Sequence, residues 1–332
     1  MKADNIPLSR SLFDRLAAQK LDAHAVLRRA GLPMQLVDAT RAALSTAQFF
    51  ALWQAIGDES DGDPGVGLRI GEATRSELCD VASLAALHAA NLGDALDTLA
   101  RYKRLTCPED ISIERHGGEV SMGFRWILAQ GHTPPLLFDA IAASMVALAQ
   151  RGTGMALVPL RLELTRRPQH TGVFGHHFGC EVRFNAAQDR LVFRDADLAL
   201  PFLDHQLDRL AELLPPLEIA LHEQNSAWSL SDRVRHVLRR GMRGQPLRMA
   251  QVADALHLST RTLQRRLGEA GTSYQELLDQ VRSNTARHLL DATDLDTGEI
   301  AFLLGFEELN SFTRAFRHWE GATPMRWRAA AG

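Results

Sequence analysis

Apolar residues recur at helical spacing through the first hundred residues. Leu8, Leu12 and Leu16 fall on one face of a single predicted helix. Ser45, a residue type favoured at helix N-caps, precedes another such pattern. The predicted helices span residues 8–21, 23–30, 45–56, 82–91 and 94–105. The chain is therefore expected to begin with a largely helical region.

Alternating polarity replaces the helical spacing further along. The predicted strands are residues 110–115, 119–127, 160–165, 182–184 and 190–193. Gly117-Gly118 separates the first two strands and the polar turn 185–189 separates the last two, so each pair is predicted to form a β-hairpin. Helices are predicted over 135–151 and 202–222, and Pro215-Pro216 should kink or divide the second. We expect an α+β fold, with helices around a small, mainly antiparallel sheet.

The pattern is purely helical after Ser229. The predicted helices span residues 230–240, 249–255, 260–269, 274–292, 297–303, 310–319 and 324–329. A length of 332 residues suits two domains. We place them at residues 1–225 and 229–332, the first α+β and the second all-α.

Two segments of the all-α part share one plan: a short helix, a tight turn and a second helix. Ala253 and Ala301 are small, as the close approach of two crossing helices requires. Gly305 can adopt the left-handed conformation of the second turn. His257 occupies the same place in the first turn, which either costs some strain or uses a slightly different turn. These features predict two helix-turn-helix units.

The helix predicted over 274–292 separates the two units. A helix of this length spans about 28 Å, and successive turns of a DNA major groove lie about 34–36 Å apart. One chain is therefore expected to place the second helix of each unit in adjacent turns of one major groove.

The charge distribution agrees with this prediction. The net charge of −3 divides unevenly: the last 105 residues contain 15 arginines, no lysine and 12 acidic residues, whereas the first 227 carry a net charge of −6. Arginine suits phosphates and guanine edges better than lysine does. A net charge of +3 is mild, so the prediction of DNA binding rests on the motifs.

The sequence gives little support for dinucleotide binding, metal binding or catalysis. Gly65-x-Gly67-x-x-x-Gly71 has the wrong spacing for a dinucleotide loop, and His176-His177-x-x-Cys180 has no second pair of metal ligands. No nucleophile, zinc-protease or phosphate-loop motif is found, so we expect neither an enzyme nor a cofactor. Three scattered cysteines, no long apolar segment and no apolar leader indicate a cytoplasmic protein that does not insert into a membrane.

One set of residues in each helix-turn-helix unit carries a resemblance to a known family. In the second unit the residues are Ile300-Ala301, Leu304-Gly305-Phe306, Ser311-Phe312, Arg314-Ala315-Phe316-Arg317, Gly321, Thr323-Pro324 and Trp327-Arg328. In the first unit they are Ser259, Arg261, Leu263, Gln264, Arg265, Leu267 and Gly271. Through these residues the C-terminal part resembles the AraC/XylS family of transcription regulators. Residues 178–184 and 198–201 resemble more weakly the domain labelled "arabinose-binding" in ornithine-utilisation-type regulators. That label does not establish a sugar ligand.

The resemblance implies which side chains face DNA. The expected base contacts are Arg261, Gln264 and Arg265 on the first helix and Leu309, Asn310, Ser311 and Arg314 on the second. Leu309 either touches a thymine methyl group or contacts no base. For each of the arginines the alternative is a phosphate contact or a surface position without a DNA contact. The expected backbone contacts are Arg282, Arg287, Arg317 and Arg328.

The resemblance also implies partners. They are a double-stranded DNA operator, a small-molecule effector bound by the first domain, a second copy of the chain and, for an activator, RNA polymerase. Our guess for the dimer interface is a leucine repeat that could equally pack on its own domain: Leu203, Leu207, Leu210 and Leu214. Polar or aromatic residues that could line an effector pocket or belong to the core are His88, Tyr102, Arg125 and Trp126. The alternative function is an architectural DNA-binding protein whose first domain only dimerises.

Overall fold

The computed structural model of the chain describes residues 4–39, 42–73, 80–126, 133–227, 229–241 and 248–331. It divides into two compact units. The first comprises residues 1–164, 168–183 and 188–226, and the second comprises 165–167, 184–187 and 227–332. We describe each unit by itself.

The first unit combines helices with a small sheet, which confirms the predicted α+β class. Its helices are α1 (Arg10–Ala18), α2 (Ala23–Arg29), α3 (Thr46–Glu59), α4 (Val66–Glu72), α5 (Val81–Leu87), α6 (Leu92–Tyr102), α7 (Pro135–Thr153), α8 (Thr171–Phe178) and α9 (Leu207–Ala227). Its strands are β1 (Ile6–Leu8), β2 (Ala42–Leu44), β3 (Glu109–His116), β4 (Glu119–Trp126), β5 (Arg161–Glu163), β6 (Glu181–Arg183) and β7 (Arg190–Arg194).

Local capping explains several helix boundaries. Ser45 and Gln48 form a reciprocal capping box at the start of α3. The Asp80 carboxylate accepts the backbone N–H of Ser83 at 3.0 Å and so begins α5. Gly154 ends α7 in the left-handed conformation, with φ of 68°. The ends of these helices therefore follow directly from the residues at those positions.

The five-stranded sheet has the order β3-β4-β7-β5-β6. The hairpin of β3 and β4 is confirmed, with His116 opposite Glu119. The second predicted hairpin is wrong: β7 pairs antiparallel with β4 and β5, whereas β6 pairs parallel with β5. A parallel pair needs a crossover connection, and α8 supplies it. The pattern of these short strands did not indicate this helix.

The first predicted helix begins too early, and a second predicted helix is not divided at Pro215-Pro216. Leu8 belongs not to the first helix but to β1, where it lies opposite Ala42 of β2. Pro215 and Pro216 lie inside α9, which continues past both. Both prolines are exposed, as are residues 211 and 212, whose carbonyls lose their N–H partners. Water can satisfy those carbonyls, so the helix need not divide.

Helix α4, which was not predicted, packs closely against α7 through two glycines. Gly67 and Gly71 are four residues apart and therefore lie on one face of the helix. A Cβ atom on Gly67 would lie 2.8 Å from the carbonyl oxygen of Leu136, and one on Gly71 would lie 2.1 Å from that of Ala140. The glycine motif therefore allows two helix backbones to approach each other.

In the part that the structure describes, the second unit is helical apart from its two short segments 165–167 and 184–187. Its helices are α10 (Leu230–Gly241), α11 (Met249–Ala255), α12 (Thr260–Glu269), α13 (Tyr274–Ala292), α14 (Thr297–Leu303), α15 (Leu309–Glu320) and α16 (Pro324–Ala331). None of the described helices of the chain is long and apolar enough to cross a bilayer.

Helix α13 joins two separate apolar cores of the second unit. Leu277 and Val281, in its first half, pack with α10, α11 and α12. Leu289 and Leu290, in its second half, pack with α14, α15 and α16. Each helix-turn-helix unit thus has a core of its own, and one continuous helix fixes the distance between the two.

Candidate nucleic-acid interface and a buried cavity

The first helix-turn-helix unit consists of α11 and α12. The turn places His257 in the left-handed conformation, with φ of 55°, and its N–H donates to the carbonyl of Asp254 at 3.0 Å. The Ser259 hydroxyl then accepts the N–H of Thr262 at 3.1 Å and begins α12. Leu263 and Leu267 bury the inner face of this helix. Of the two alternatives for this turn, the structure therefore shows the left-handed conformation at His257.

The outer face of α12 carries the predicted base contacts. Arg261, Gln264 and Arg265 are all exposed. The Arg265 guanidinium forms an ion pair with Glu269, one turn further along the helix. Because both side chains of this pair are well exposed, it contributes little stability and can exchange for another partner.

The second unit repeats this arrangement with α14 and α15. Gly305 is left-handed, with φ of 74°, and its N–H donates to the carbonyl of Phe302 at 2.9 Å. Phe312 and Phe316 are fully buried on the inner face of α15. Phe312 contacts Phe306, which follows the turn, with the ring centroids 5.6 Å apart. An aromatic core therefore determines which face of α15 points outward.

That outer face contains the other four predicted base contacts. Asn310 and Arg314 are exposed, Ser311 is half-buried, and Leu309 is 44% exposed. An apolar side chain this open to water on the outer face of a helix fits contact with a thymine methyl group.

Four arginines were expected to contact the DNA backbone, and for Arg282 the structure contradicts this prediction. It is only 8% exposed, and its guanidinium donates to the carbonyls of Leu304 at 3.0 Å and Gly305 at 3.2 Å. The guanidinium also lies 4.3 Å from the Phe306 ring centroid, and burial lowers the pKa of Arg282. Arg282 therefore holds the second turn and is not available to a phosphate.

The sequence contains a signal that identifies this role. Leu278 and Ala286, four residues to either side of Arg282, are both buried in α13. A charged residue between two apolar residues at this spacing lies on the inner face of a helix.

The other three arginines differ in exposure. Arg317 is exposed in the last turn of α15. Arg287 is half-buried and donates to the Asn284 side chain. Arg328 is half-buried as well, and its Nε donates to the carbonyl of Leu290 at 3.2 Å. Arg317 is thus the most accessible of the three to a phosphate.

The first unit contains a cavity of about 390 Å³. Its wall is mainly apolar and includes three aromatic side chains, Phe49, Trp53 and Trp126. Of the pocket residues suggested by the sequence, Trp126 lines the cavity, whereas the Tyr102 hydroxyl donates to Glu218. A volume of this size suits a small organic molecule.

Charged groups line one part of this cavity. The ammonium of Lys103 lies 2.5 Å from the Asp80 carboxylate. Burial lowers the pKa of Lys103, but the charge and hydrogen bond of Asp80, together with the nearby Cys107 and Glu109, outweigh this effect and raise the pKa overall. Burial also raises the pKa of Glu109 to about 7, against the opposing effect of Lys103. Among the described residues, no cluster of three or more His, Cys, Asp or Glu has the arrangement of a metal site.

The predicted leucine repeat does not form one helical face. Leu203 precedes α9, which begins at Leu207, and these two side chains are 72% and 69% exposed. Leu210 and Leu214 are half-buried and pack against a core that includes Tyr102. Half of the repeat therefore packs on its own unit and half faces outward.

Comparison with known proteins relates both units to bacterial regulators. The family described as the arabinose-binding domain of AraC transcription regulator, N-terminal, matches residues 21–202, and the family described as helix-turn-helix domain matches residues 252–330. The ornithine utilization regulator of Pseudomonas aeruginosa is 27% identical, and the alignment covers 99% of this chain and 97% of that protein. The HTH-type transcriptional regulator VirS of Mycobacterium tuberculosis is also 27% identical, over 92% of this chain and 90% of that protein.

The chain is also similar to a solved structure. The transcriptional regulator CdpR from Pseudomonas aeruginosa is 24% identical with a TM-score of 0.48, and the superposition covers 96% of this chain and 97% of CdpR.

Proposed function

The chain belongs to the AraC family of transcription regulators, and we propose that it regulates transcription by inserting α12 and α15 into adjacent turns of the DNA major groove. The observation that carries this proposal is the outward face of the two helices, which is polar and basic while the opposite face is buried. Helix α13, attached to both cores, sets the spacing.

The proposed base contacts follow from hydrogen-bonding chemistry. Arg261, Arg265 and Arg314 each offer two donors to guanine, while Gln264 and Asn310 suit adenine. Ser311 donates or accepts a single bond, and Leu309 touches a thymine methyl group. Arg317, Arg287 and Arg328 contact phosphates, and Arg317 is the most accessible of the three.

Substitution of Arg314 by alanine tests the second recognition helix. We expect specific affinity for the operator to fall by about tenfold to a hundredfold, since a bidentate guanine contact contributes about 1–3 kcal/mol of discrimination. Affinity for scrambled DNA should hardly change. Fluorescence anisotropy of the full chain with its own upstream DNA and with scrambled DNA, across a salt series, measures both quantities.

Arg317→Ala is the matched control on the same helix. Loss of a phosphate contact should weaken binding to both DNAs equally and reduce the salt slope by about one. An Arg314→Ala protein with full affinity and selectivity would contradict the proposed role of α15.

We further propose that the two regions have separate tasks. Residues 1–225 bind a small-molecule effector in the cavity and mediate dimerisation, and residues 229–332 bind DNA. Effector binding changes the DNA affinity of the second region, and the chain activates transcription through RNA polymerase. A broad metabolite screen that produced no shift in melting temperature would instead favour the architectural alternative, because a ligand that binds the folded state raises its stability.

The proposed dimer contact uses the two exposed leucines. We expect a Leu203→Asp, Leu207→Asp double variant to sediment as a monomer, because two buried carboxylates are costly at an apolar interface. Met325→Asp, at a methionine that is 67% exposed in the second unit, is the control and should leave the oligomeric state unchanged. Analytical ultracentrifugation distinguishes monomer from dimer. A double variant that remained dimeric would show that these two leucines do not form the dimer contact.

A further inference from the structure

We propose that the cavity of the first unit binds a protonated amine carried on a largely apolar molecule, with the Glu109 carboxylate as its counter-ion. This inference rests on the proposal that the cavity is the effector site. It assigns the chemical class of the effector and the residue that selects it.

Glu109 is a buried acidic residue of the cavity, and one of its carboxylate oxygens lacks a hydrogen-bond partner in the described part of the chain. It lines the cavity and is 2% exposed. Its Oε1 atom has no hydrogen-bond partner among the residues that the structure describes. A buried carboxylate oxygen without a partner is costly, so a ligand that donates a hydrogen bond there gains the interaction that the protein lacks.

Two cations that line the cavity already donate hydrogen bonds to other groups of the chain. Lys103 donates to Asp80 at 2.5 Å, and Asp80 also accepts the N–H of Ser83. Arg15 donates to the backbone carbonyls of Ser11 at 3.2 Å and Ile70 at 3.0 Å. Neither cation donates to the Oε1 atom of Glu109, so an ammonium group of a ligand can supply the hydrogen bond that this atom lacks.

The aromatic and apolar side chains that line the cavity suit the apolar part of such a ligand. Phe49 lies between Trp53 and Trp126, with centroid distances of 6.2 and 5.6 Å. Aromatic faces attract an ammonium group as well as alkyl carbons. The indole N–H of Trp53 also lacks a partner among the described residues, so it can donate to an acceptor on the ligand. Leu137 and Met145 contribute apolar surface.

The pairing makes ligand affinity depend on pH. The charged and titratable groups that line the cavity or act on Glu109 are Arg15, Asp80, Lys103, Cys107, Asp110 and Arg151. Burial raises the pKa of Glu109 to about 7, so its carboxyl is partly protonated at neutral pH. An alkyl ammonium stays charged across this range, as lysine does, and pairs only with the ionised carboxylate. Binding therefore releases a proton, and affinity rises with pH until Glu109 is fully ionised.

Isothermal titration calorimetry of the full chain tests the inference with three probes of equal length: hexylamine, 1-hexanol and hexanoate. At pH 8 we expect hexylamine to bind at least ten times more tightly than hexanol. Between pH 6 and pH 8 the affinity for hexylamine should rise about tenfold, whereas that for hexanol should stay constant. Titrations at pH 6 in two buffers of different ionisation enthalpy should show release of about 0.9 proton per hexylamine bound.

Two variants distinguish a specific effect of the Glu109 carboxylate from the general effect of removing one negative charge. Glu109→Gln keeps the size of the side chain and should abolish the preference for hexylamine over hexanol, together with the proton release. Asp97→Asn removes a carboxylate that is exposed on α6 and should leave both unchanged. The wild-type proton release requires no variant, so the inference stays testable if Glu109→Gln fails to fold.

Three results would overturn the inference: tighter binding of hexanoate than of hexylamine, proton uptake on binding of the amine, or no binding of any probe to the folded chain. None of them affects the proposed DNA contacts, which the anisotropy assay tests separately. If hexylamine binds as expected but leaves operator affinity unchanged, the ligand assignment stands and the proposed effector role of the cavity fails.

Discussion

Replacement of Gly71 by alanine is expected to destabilise the first unit by about 3 kcal/mol or more, at the upper end of the range for overpacked cores. The new Cβ atom would lie 2.1 Å from the carbonyl oxygen of Ala140. A backbone oxygen cannot rotate away as a side chain does, so α4 would have to move relative to α7. Gly67 is in similarly close contact one turn earlier, so the displacement would strain this contact as well.

Gly57→Ala on α3 is the matched control. The nearest atom that a Cβ would meet there is the Cδ2 of Leu136, at 3.9 Å, an ordinary van der Waals contact. Alanine inside a helix is about 0.5–1 kcal/mol more favourable than glycine, so this variant should be as stable as the wild type or slightly more stable. Urea denaturation of the full chains provides both values. A Gly71→Ala protein of wild-type stability would show that the two helices are not in close contact.

Arg282→Met is expected to destabilise the second unit by about 3 kcal/mol, because hydrogen bonds to a charged group contribute about 1.5–3 kcal/mol each. Methionine fills much of the volume of arginine but donates no hydrogen bond. The carbonyls of Leu304 and Gly305, beyond the last residue of α14, would lose the donors that now satisfy them. The charge of Arg282 at the C-terminus of α14 is also favourable, because the helix dipole is negative there.

The same variant distinguishes a structural arginine from a phosphate contact. We expect operator affinity to fall as the second turn loosens, while the salt slope of binding stays at the wild-type value. Arg326→Met, at an exposed residue of α16, is the control for loss of one positive charge and should leave stability unchanged. Wild-type stability of Arg282→Met combined with a reduced salt slope would restore Arg282 as a phosphate contact.

The helix-turn-helix units and most of their surfaces were predictable from sequence. Ser259 and Gly305 impose a cap and a turn through their own chemistry. Phe312 and Phe316, spaced by one helical turn, determine the buried face of α15 and therefore leave Arg314 outside. Such features depend on neighbours within a few residues, so one sequence contains the information that they require.

The first unit was less predictable, because its contacts join distant parts of the chain. The short strand β5 lies between β6 and β7 in the sheet, a pairing that polarity within each strand does not specify. The close contact of Gly71 with Ala140 depends on two helices that are far apart in sequence.

The sequence by itself determined the fold class, the tandem helix-turn-helix arrangement and the outward side chains of α12 and α15, since local periodicity and capping decide them. Only the tertiary structure decided that the carbonyls of the second turn are the partners of Arg282 and that Glu109 faces a cavity beside Lys103 and Asp80. Charged residues are usually exposed, because a buried charge is costly without partners. The partners and the surrounding side chains of both residues come from distant parts of the chain, and only the fold brings them together.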